Sequence, residues 1–261
     1  MQIQDLHAAA RRTASRAGLG RMARWARRRF SGHPPATAED RRLWESVRTV
    51  TMTSPERVFA LRRSIRRVVA RNIPGAIVEC GVWRGGSMLA AALTLAELGD
   101  TTRDLYLLDT FNGMPEPTEH DRHEGKPAAT LLARSSPDSW VRACASLADV
   151  QRTMSQSGYP ESRIHYVEGR VEETIPDRAP ESIALLRLDT DWYESTRHEL
   201  QHLWPRLSPG GVLIIDDYGH WDGARRAVDE WLAGEAGLRL EVIDYTGRLV
   251  NKPGRSRGRA R

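Results

Sequence analysis

Short apolar stretches without polar alternation recur through the middle of the chain, separated by stretches in which apolar residues have helical spacing. Such apolar stretches predict strands buried on both faces, as in a parallel sheet that helices cover on each side. The predicted strands span 76–81, 105–110, 164–169, 183–189 and 211–217, and 238–245 with 248–252 is the predicted closing pair. Right-handed crossovers between the parallel strands would build an open, doubly wound α/β sheet.

The chain before the first strand is polar with a helical pattern. Apolar residues recur at helical spacing over 39–71, with a break at TMTSPER, where Ser54 can cap a helix that has Pro55 at its first position. A further helix is predicted over 137–157, and the polar loop 111–136 before it is long enough to serve as a lid. We predict four segments: a basic, flexible extension (1–33), a helical N-terminal lid (34–72), the α/β domain (73–252) and a basic tail (253–261).

The residues after the first two strands indicate a nucleoside site, because ligands of such sheets bind beyond the carboxyl ends of the strands. Gly81, Gly85 and Gly86 allow a tight turn and the close approach of a ligand after the first strand. Asp109 at the end of the second strand can accept both hydroxyl groups of a ribose. A nicotinamide-dependent oxidoreductase shares the acidic residue, but the turn lacks the fingerprint G-x-G-x-x-G of that class.

Four carboxylates follow the fourth and fifth strands, Asp189 with Asp191 and Asp216 with Asp217. If the two strands are neighbours, as is common in this fold, their ends lie about 5 Å apart and the carboxylates converge. Such crowding is unfavourable unless a cation or shared protons relieve it, and an all-oxygen ligand set favours Mg²⁺. The alternative is local, since Asp191 could cap the helix that begins near Trp192 and Asp217 could lie in a turn.

Composition places charge at the two ends of the chain. The 261 residues include 39 Lys and Arg against 34 Asp and Glu, a net charge of +5, with arginine clusters at 11–29 and in the last eight residues. We expect solvated ends without a nucleic-acid or membrane partner; the alternative is a nucleic-acid-binding protein that uses these ends. No apolar run can cross a membrane and two cysteines make no disulfide framework, so a cytoplasmic location is predicted, with an N-terminal transit peptide as the alternative.

Four motifs at the strand ends together resemble one family. VECGVWRGGSM, LLDTFNGMPEP, LRLDTDWYEST and LSPGGVLIIDDYG resemble the macrocin O-methyltransferase (TylF) family of S-adenosylmethionine-dependent enzymes, over about 51–251, leaving the extension 1–33 uncovered. The resemblance implies a class I methyltransferase (Rossmann-like) fold, a mostly parallel seven-stranded sheet with an antiparallel strand in its last pair. It also implies S-adenosylmethionine and Mg²⁺ as cofactors, a sugar hydroxyl of a glycosylated natural product as methyl acceptor, and a homo-oligomer, a dimer or larger.

The resemblance further implies individual roles for residues of these motifs. Asp189, Asp216 and Asp217 would be the metal ligands, and Asp191 the general base beside Asp189, with His220 as the alternative base. The cofactor contacts would be Glu79, Gly81 and Ser87 at the methionine end, Asp109 at the ribose, and Gly169, Arg170 and Val171 at the adenine, with Met52 and Asp189 close by.

The methyl acceptor is the least constrained part of the prediction. Coordination to Mg²⁺ lowers the pKa of a hydroxyl group and fixes its position, and two adjacent oxygens can chelate the ion. A surface glycan and a phenolic or catechol group also present such oxygens, so both remain alternatives to the natural-product glycoside. Trp83, Trp192 and Tyr193 flank the predicted mouth and form either core or an aromatic wall for the acceptor.

Overall fold

The structure is a computed structural model that describes residues 34–135, 142 and 144–254. The predicted flexible extension 1–33 and residues 255–261 of the predicted basic tail therefore lie outside the described residues. The unit Thr37–Arg261 contains the whole seven-stranded sheet. None of the described helices is long and apolar enough to cross a membrane.

Seven strands form one sheet whose order confirms the predicted doubly wound architecture. The strands are β1 Ala76–Cys80, β2 Leu105–Asp109, β3 Ile164–Glu168, β4 Ile183–Leu188, β5 Leu207–Ile215, β6 Glu241–Val242 and β7 Arg248–Asn251. Their order across the sheet is β3-β2-β1-β4-β5-β7-β6. The first five run parallel, and β7 lies antiparallel to both β5 and β6, as the resemblance implies for the last pair.

Helices cover both faces of this sheet. The described helices are α1 Ala38–Val47, α2 Pro55–Ala70, α3 Gly86–Glu97, α4 Ala128–Arg134, α5 Leu147–Met154, α6 Val171–Thr174, α7 Tyr193–Leu203 and α8 Asp222–Ala233. Successive residues of the central strands serve opposite faces, so that Ile77 and Leu185 pack with α1, α2 and α3 on one side. Val78 and Leu186 pack on the other side with α7. Burial on both faces is the reason that these strands lack polar alternation.

The start of helix α2 follows the predicted capping pattern. Ser54 is the N-cap, its hydroxyl accepts a hydrogen bond from the backbone N–H of Arg57 at 3.2 Å, and Pro55 opens the helix. The same hydroxyl donates to Asp244 at 2.6 Å. The cap therefore joins the first turn of α2 to the loop between β6 and β7.

Four predicted elements differ from the structure. The predicted strand 211–217 begins four residues earlier and ends two residues earlier, as β5 Leu207–Ile215. The predicted helix 137–157 is wrong at 144–146, because these residues are not helical and α5 begins only at Leu147. Residues 136–141 and 143 lie outside the described residues. The predicted polar loop 111–136 contains a short hairpin, Arg122–His123 paired with Lys126–Pro127, followed by α4. The predicted strand 238–245 shrinks to β6, because Leu238 and Leu240 pack against the core from an irregular segment.

Candidate active site

The glycine-rich turn after β1 is packed against its neighbours by close backbone contacts. Gly81 has a φ of 78°, and a Cβ atom there would overlap the carbonyl oxygen of Asp189 at the end of β4. Gly85 caps α3 in the left-handed conformation, and a Cβ atom on Gly86 would overlap the carbonyl oxygen of Val50. These glycines therefore allow the turn to contact both the end of β4 and the segment around Val50 that precedes helix α2, in addition to any ligand.

We expect Gly81→Ala to destabilise the fold by more than its backbone strain alone. The left-handed conformation costs about 1–3 kcal/mol for a residue with a side chain, and overpacking adds about the same again. The control is Gly99→Ala, because Gly99 has a φ of 74° but a Cβ atom added there would meet nothing within 4 Å. Urea denaturation of both variants measures the difference, and equal losses would contradict the close contact with Asp189.

Asp109 organises the turn from the end of β2. Its Oδ2 atom accepts hydrogen bonds from the backbone N–H groups of Val82 at 2.6 Å and Trp83 at 3.0 Å. Its Oδ1 atom accepts from the N–H of Phe111 at 2.8 Å. Burial raises the pKa of Asp109 while these N–H groups oppose the shift. Asp109 thus fixes the β1 turn, and ribose hydroxyls would have to share oxygens that already accept backbone donors.

The predicted adenine-side residues occupy different environments. The N–H of Gly169 donates to the carbonyl oxygen of Asp109 at 3.0 Å, which brings the ends of β2 and β3 together. Val171 is buried and packs in the core, whereas Arg170 is exposed and pairs with Glu172 at 3.4 Å. Of the two side chains predicted to pack on adenine, only that of Arg170 is open to solvent.

Glu79 and Arg187 form a buried ion pair beneath the mouth of the sheet. Both side chains are nearly inaccessible to solvent, and the Arg187 guanidinium pairs with Glu79, with Asp189 at 2.7 Å and with Asp216 at 2.6 Å. Burial raises the pKa of Glu79 although Arg187 opposes the shift. The Oε2 atom of Glu79 has no hydrogen-bond partner within the described part of the chain. Arg187 therefore connects the end of β1 with the carboxylates of β4 and β5.

Asp189, Asp216 and Asp217 converge as the sequence predicts. Each can offer one carboxylate oxygen such that the three oxygens lie within 4.8 Å of one another. The parallel pairing of β4 with β5, which aligns Leu188 with Ile215, places their ends side by side. Burial and the negative charges of Asp191 and Asp189 raise the pKa of Asp217 well above its usual range. The buried, crowded carboxyl groups therefore resist ionisation unless a cation or shared protons relieve them.

Asp191 lies beside this cluster and does not cap helix α7. The N-cap of α7 is Trp192 without a side-chain bond, and the N–H of Tyr193 donates instead to Asp121 at 2.8 Å. Asp191 has a φ of 67°, accepts a hydrogen bond from Trp221 Nε1 at 2.6 Å, and interacts with the carboxyl group of Asp217. Burial and the charge of Asp189 raise the pKa of Asp191. The capping interpretation is therefore wrong for Asp191, which belongs to the acidic cluster.

The loop 111–135 is fastened over the ends of β4 and β5. The fully buried carboxylate of Asp121 accepts from the N–H of Thr118 at 2.7 Å as well as from Tyr193. Trp192 donates from its indole N–H to the carbonyl of Pro115 at 2.9 Å and packs edge to face on Trp221, with ring centroids 4.8 Å apart. Both tryptophans are 3% exposed, so they form the core of this covering loop and no open wall.

His220 follows β5 at the rim of the site. Its ring lies 4.4 Å from that of His123, whose Nδ1 is 2.9 Å from the His220 carbonyl oxygen. Burial, then the neighbouring His123 and Arg57, lowers the pKa of His220 to about 4. The imidazole is therefore neutral at pH 7 and a weaker base than an ordinary histidine.

We expect His220 to make the fold less stable in mild acid. The unfolded chain binds a proton at this residue below about pH 6.5, whereas the folded protein binds it only below about pH 4, so stability falls as the pH drops through that window. Between pH 7 and pH 5 the free energy of unfolding of the wild type should fall by about 2 kcal/mol more than that of His220→Asn. Urea midpoints of both proteins at the two pH values test this, and parallel losses would exclude the shifted histidine.

Solved structures with the same architecture identify the class of fold. The O-methyltransferase NovP superposes with a TM-score of 0.69 at 29% sequence identity, covering 78% of this chain and 82% of that one. The calicheamicin methyltransferase CalS11 shares the fold with a TM-score of 0.57 at 21% identity, covering 86% of this chain and 96% of that one. The strand order and the glycine turn thus belong to the class I fold of S-adenosylmethionine-dependent methyltransferases.

Sequence comparison identifies the family within that class. Residues 2–252 match the family described as Macrocin-O-methyltransferase (TylF). The 8-demethyl-8-(2,3-dimethoxy-alpha-L-rhamnosyl)-tetracenomycin-C 4'-O-methyltransferase of Streptomyces olivaceus is 37% identical over 224 residues, covering 84% of this chain and 81% of that protein. The mycinamicin III 3''-O-methyltransferase of Micromonospora griseorubida is 34% identical over 208 residues, covering 79% and 80%. The chain belongs to the TylF family and is an O-methyltransferase.

The family match corrects the predicted extent of the resemblance and decides the class of enzyme. The four motifs leave the extension 1–33 uncovered, but the match begins at residue 2, so that limit was wrong. Membership of this family also decides against the nicotinamide-dependent oxidoreductase. Asp109 was the feature shared by both classes, and it could not distinguish them.

Two arginines, an aspartate and a tryptophan of the site were not predicted from the sequence. Arg187 and Arg57 supply positive charge to the cluster, Asp121 fastens the covering loop, and Trp221 orients Asp191. A lone arginine in the apolar stretch LLRLD was a usable signal, because a buried charge needs a partner. The other three contact residues far away in the sequence, and only the fold reveals those contacts.

Proposed function

We propose that this chain transfers the methyl group of S-adenosylmethionine to a sugar hydroxyl of a glycosylated small molecule, assisted by Mg²⁺ at Asp189, Asp216 and Asp217. The observation that carries the proposal is the convergence of these three carboxylates within 4.8 Å beside the glycine turn. The names of two relatives support a glycoside acceptor, because they describe O-methylation of a rhamnosyl-tetracenomycin and of mycinamicin III.

The residues of the first turn fit the cofactor. The unpartnered, buried Oε2 atom of Glu79 suits the ammonium group of the methionine end. Gly81 and Ser87 border the turn, with Ser87 buried in the first turn of α3, and Met52 lies half-buried next to Thr53, which contacts Asp216. Bound S-adenosylmethionine supplies an electrophilic methyl group on a sulfonium. The chain aligns it with the acceptor through a turn and a strand end in direct contact.

The carboxylates also fit a divalent ion. All the candidate ligands are oxygens, which hard ions such as Mg²⁺ prefer. Burial, and then the charges of Asp191 and Asp189, raise the pKa of Asp217 although Arg57 and Arg187 oppose the shift, and a bound cation would favour its ionised form. A bound Mg²⁺ would lower the pKa of an acceptor hydroxyl and hold it in place. Asp189, Asp216 and Asp217 would be its protein ligands.

Asp191 is the proposed general base. Trp221 donates a hydrogen bond to its Oδ1 atom, so its carboxylate is oriented beside Asp217 within the cluster. In the reaction Asp191 would accept the proton of the acceptor hydroxyl. With S-adenosylmethionine bound, that oxygen would form a bond to the methyl carbon as the carbon–sulfur bond breaks, which would give a methyl ether and S-adenosylhomocysteine. The covering loop around Trp192 and Asp121 would keep water from the sulfonium.

Titration calorimetry tests the cofactor and the metal separately. S-adenosylmethionine and S-adenosylhomocysteine are titrated into the full chain with Mg²⁺ and with chelator, and methyl transfer is then followed by mass spectrometry. We expect both nucleosides to bind. We also expect methyl transfer to a glycoside with adjacent hydroxyls in Mg²⁺, and no transfer in chelator. No nucleoside binding in either condition would overturn the cofactor assignment, and full activity in chelator would overturn the metal.

The acceptor class is tested by matched substrates. A rhamnoside with adjacent hydroxyls, its analogue lacking one of them, an oligosaccharide of a cell-surface glycan and a catechol are compared at equal concentration. Preference for the intact glycoside supports the proposal, and preference for the glycan or catechol gives the function to that acceptor. The predicted homo-oligomer, tested by light scattering, and the predicted cytoplasmic location remain predictions.

A further inference from the structure

Arg57 reaches from the first turn of helix α2 into the acidic cluster. Its guanidinium pairs with Asp216 and, through Nε, with Asp244 at 3.1 Å. We propose that Arg57 is a tethered cation that competes with the divalent ion for Asp216, and so sets the metal affinity of the site and links metal binding to helix α2. The inference rests on the metal site of the proposed function.

Asp216 is the carboxylate at which this competition takes place. Its Oδ2 atom pairs with Arg57 and its Oδ1 atom with Arg187 at 2.6 Å, while the hydroxyl of Thr53 lies 3.4 Å from both oxygens. The side chain of Asp216 is 3% exposed, so these partners enclose it. A metal ion at Asp216 therefore needs an oxygen that a guanidinium already uses. It also meets a like charge at short range.

Arg57 is the arginine that can give way. Arg187 lies in the central strand β4 and is held by Glu79 and Asp189 as well as Asp216, so its release would leave three carboxylates without it. Arg57 lies outside the sheet, and it keeps an ionic partner, Asp244, after it leaves Asp216. Withdrawal of Arg57 therefore costs one ion pair and leaves no buried charge unpaired.

The same contact connects metal binding to the N-terminal segment. Ser54 and Thr53 precede Arg57; Ser54 bonds Asp244 at 2.6 Å and Thr53 contacts Asp216. A change at Asp216 is therefore transmitted to the residues beside Met52, which is a predicted cofactor contact. Arg57 acts here as a positioning residue and has no assigned contact with the reacting atoms.

The test measures metal affinity without cofactor or turnover. Mn²⁺ binding to the full chain is followed by electron paramagnetic resonance and Mg²⁺ binding by calorimetry, for wild type, Arg57→Met and Arg57→Lys. Removal of the competing charge should tighten Mn²⁺ binding by about tenfold or more, and Arg57→Lys should resemble wild type. Arg57→Gln, whose amide can still bond Asp216, replaces the methionine variant if that one does not fold.

Arg62→Met is the matched control, because Arg62 lies in the same helix and its side chain is 6% exposed, against 10% for Arg57. It pairs with Asp40 at 3.1 Å and Glu97 at 2.8 Å, away from the acidic cluster, so its loss should leave Mn²⁺ affinity unchanged. In chelator the melting temperature of Arg57→Met should lie below that of wild type, and Mn²⁺ should narrow the gap. If wild type binds Mn²⁺ and Arg57→Met binds it no more tightly, the inference about Arg57 is wrong and the proposed metal site is retained. If neither protein binds Mn²⁺, both the inference and the metal site of the proposed function are wrong.

Discussion

Arg187→Met should destabilise the protein by about 3–5 kcal/mol, because it removes one partner from a buried network of charges. Arg187 is the shared counter-ion of Glu79, Asp189 and Asp216, and its side chain is 4% exposed. Methionine fills similar space but leaves three carboxyl groups without this cation. Part of the loss will be recovered by protonation of those carboxyls, so the difference from wild type should shrink as the pH is lowered.

Urea denaturation at pH 7 and pH 5 measures both parts of this prediction. Arg226→Met is the control, since Arg226 pairs with Glu230 at 2.8 Å on the surface of α8, where ion pairs contribute little. Its midpoint should stay within error of wild type at both pH values. An unchanged midpoint for Arg187→Met would mean that the buried guanidinium does not compensate the carboxylates.

Asp191→Asn should lower kcat by about 10²–10⁴-fold, the usual contribution of a general base. Asparagine is the informative replacement because Asp191 has a φ of 67°, a conformation that asparagine adopts readily and that would strain alanine. The amide can still accept the hydrogen bond from Trp221, so the fold and the orientation of the side chain are preserved. Activity is measured with saturating S-adenosylmethionine and Mg²⁺, after calorimetry has verified that both still bind.

His220→Asn separates the two candidate bases. His220 is neutral at pH 7 and lies at the rim of the site, so it is the other group able to accept a proton there. We expect its replacement to change kcat by less than tenfold, which corresponds to a change of less than about 1.4 kcal/mol in the activation free energy. A large loss in His220→Asn with near-normal turnover in Asp191→Asn would transfer the role to His220.

The strands and the acidic cluster were predictable because one physical rule governs each. Strands buried on both faces need continuous apolar runs, and such runs place β1, β2, β3 and β4 to within a residue. Parallel neighbours end at one edge, so aspartates after β4 and β5 had to converge. Helix α5 was placed less well. Its start is set by a capping box between Ser146 and Asp149, a signal that the apolar spacing over 137–157 obscured.

The charge compensation of the site could not be predicted in full. Carboxylates crowded at a strand end can be relieved by a metal, by protons or by arginines, and sequence spacing does not distinguish these. Arg57 and Asp216 are 159 positions apart, so their contact depends on how α2 packs on the sheet. The same holds for Asp121, which accepts a hydrogen bond from the first N–H of α7, the role that was only the alternative for Asp191.

The contact between Gly81 and the backbone of Asp189 has a consequence for engineering the enzyme to methylate other acceptor molecules. Because the donor turn and the end of β4 touch at main-chain atoms, side-chain substitutions around them cannot move one without the other. Libraries aimed at new acceptors should therefore leave both segments unaltered. Diversity belongs in the hairpin at 122–127, which reaches the rim of the site through the contact of His123 with the His220 carbonyl oxygen, whereas Ala128 and Leu132 of helix α4 pack with Trp192 and Trp221 and should be kept.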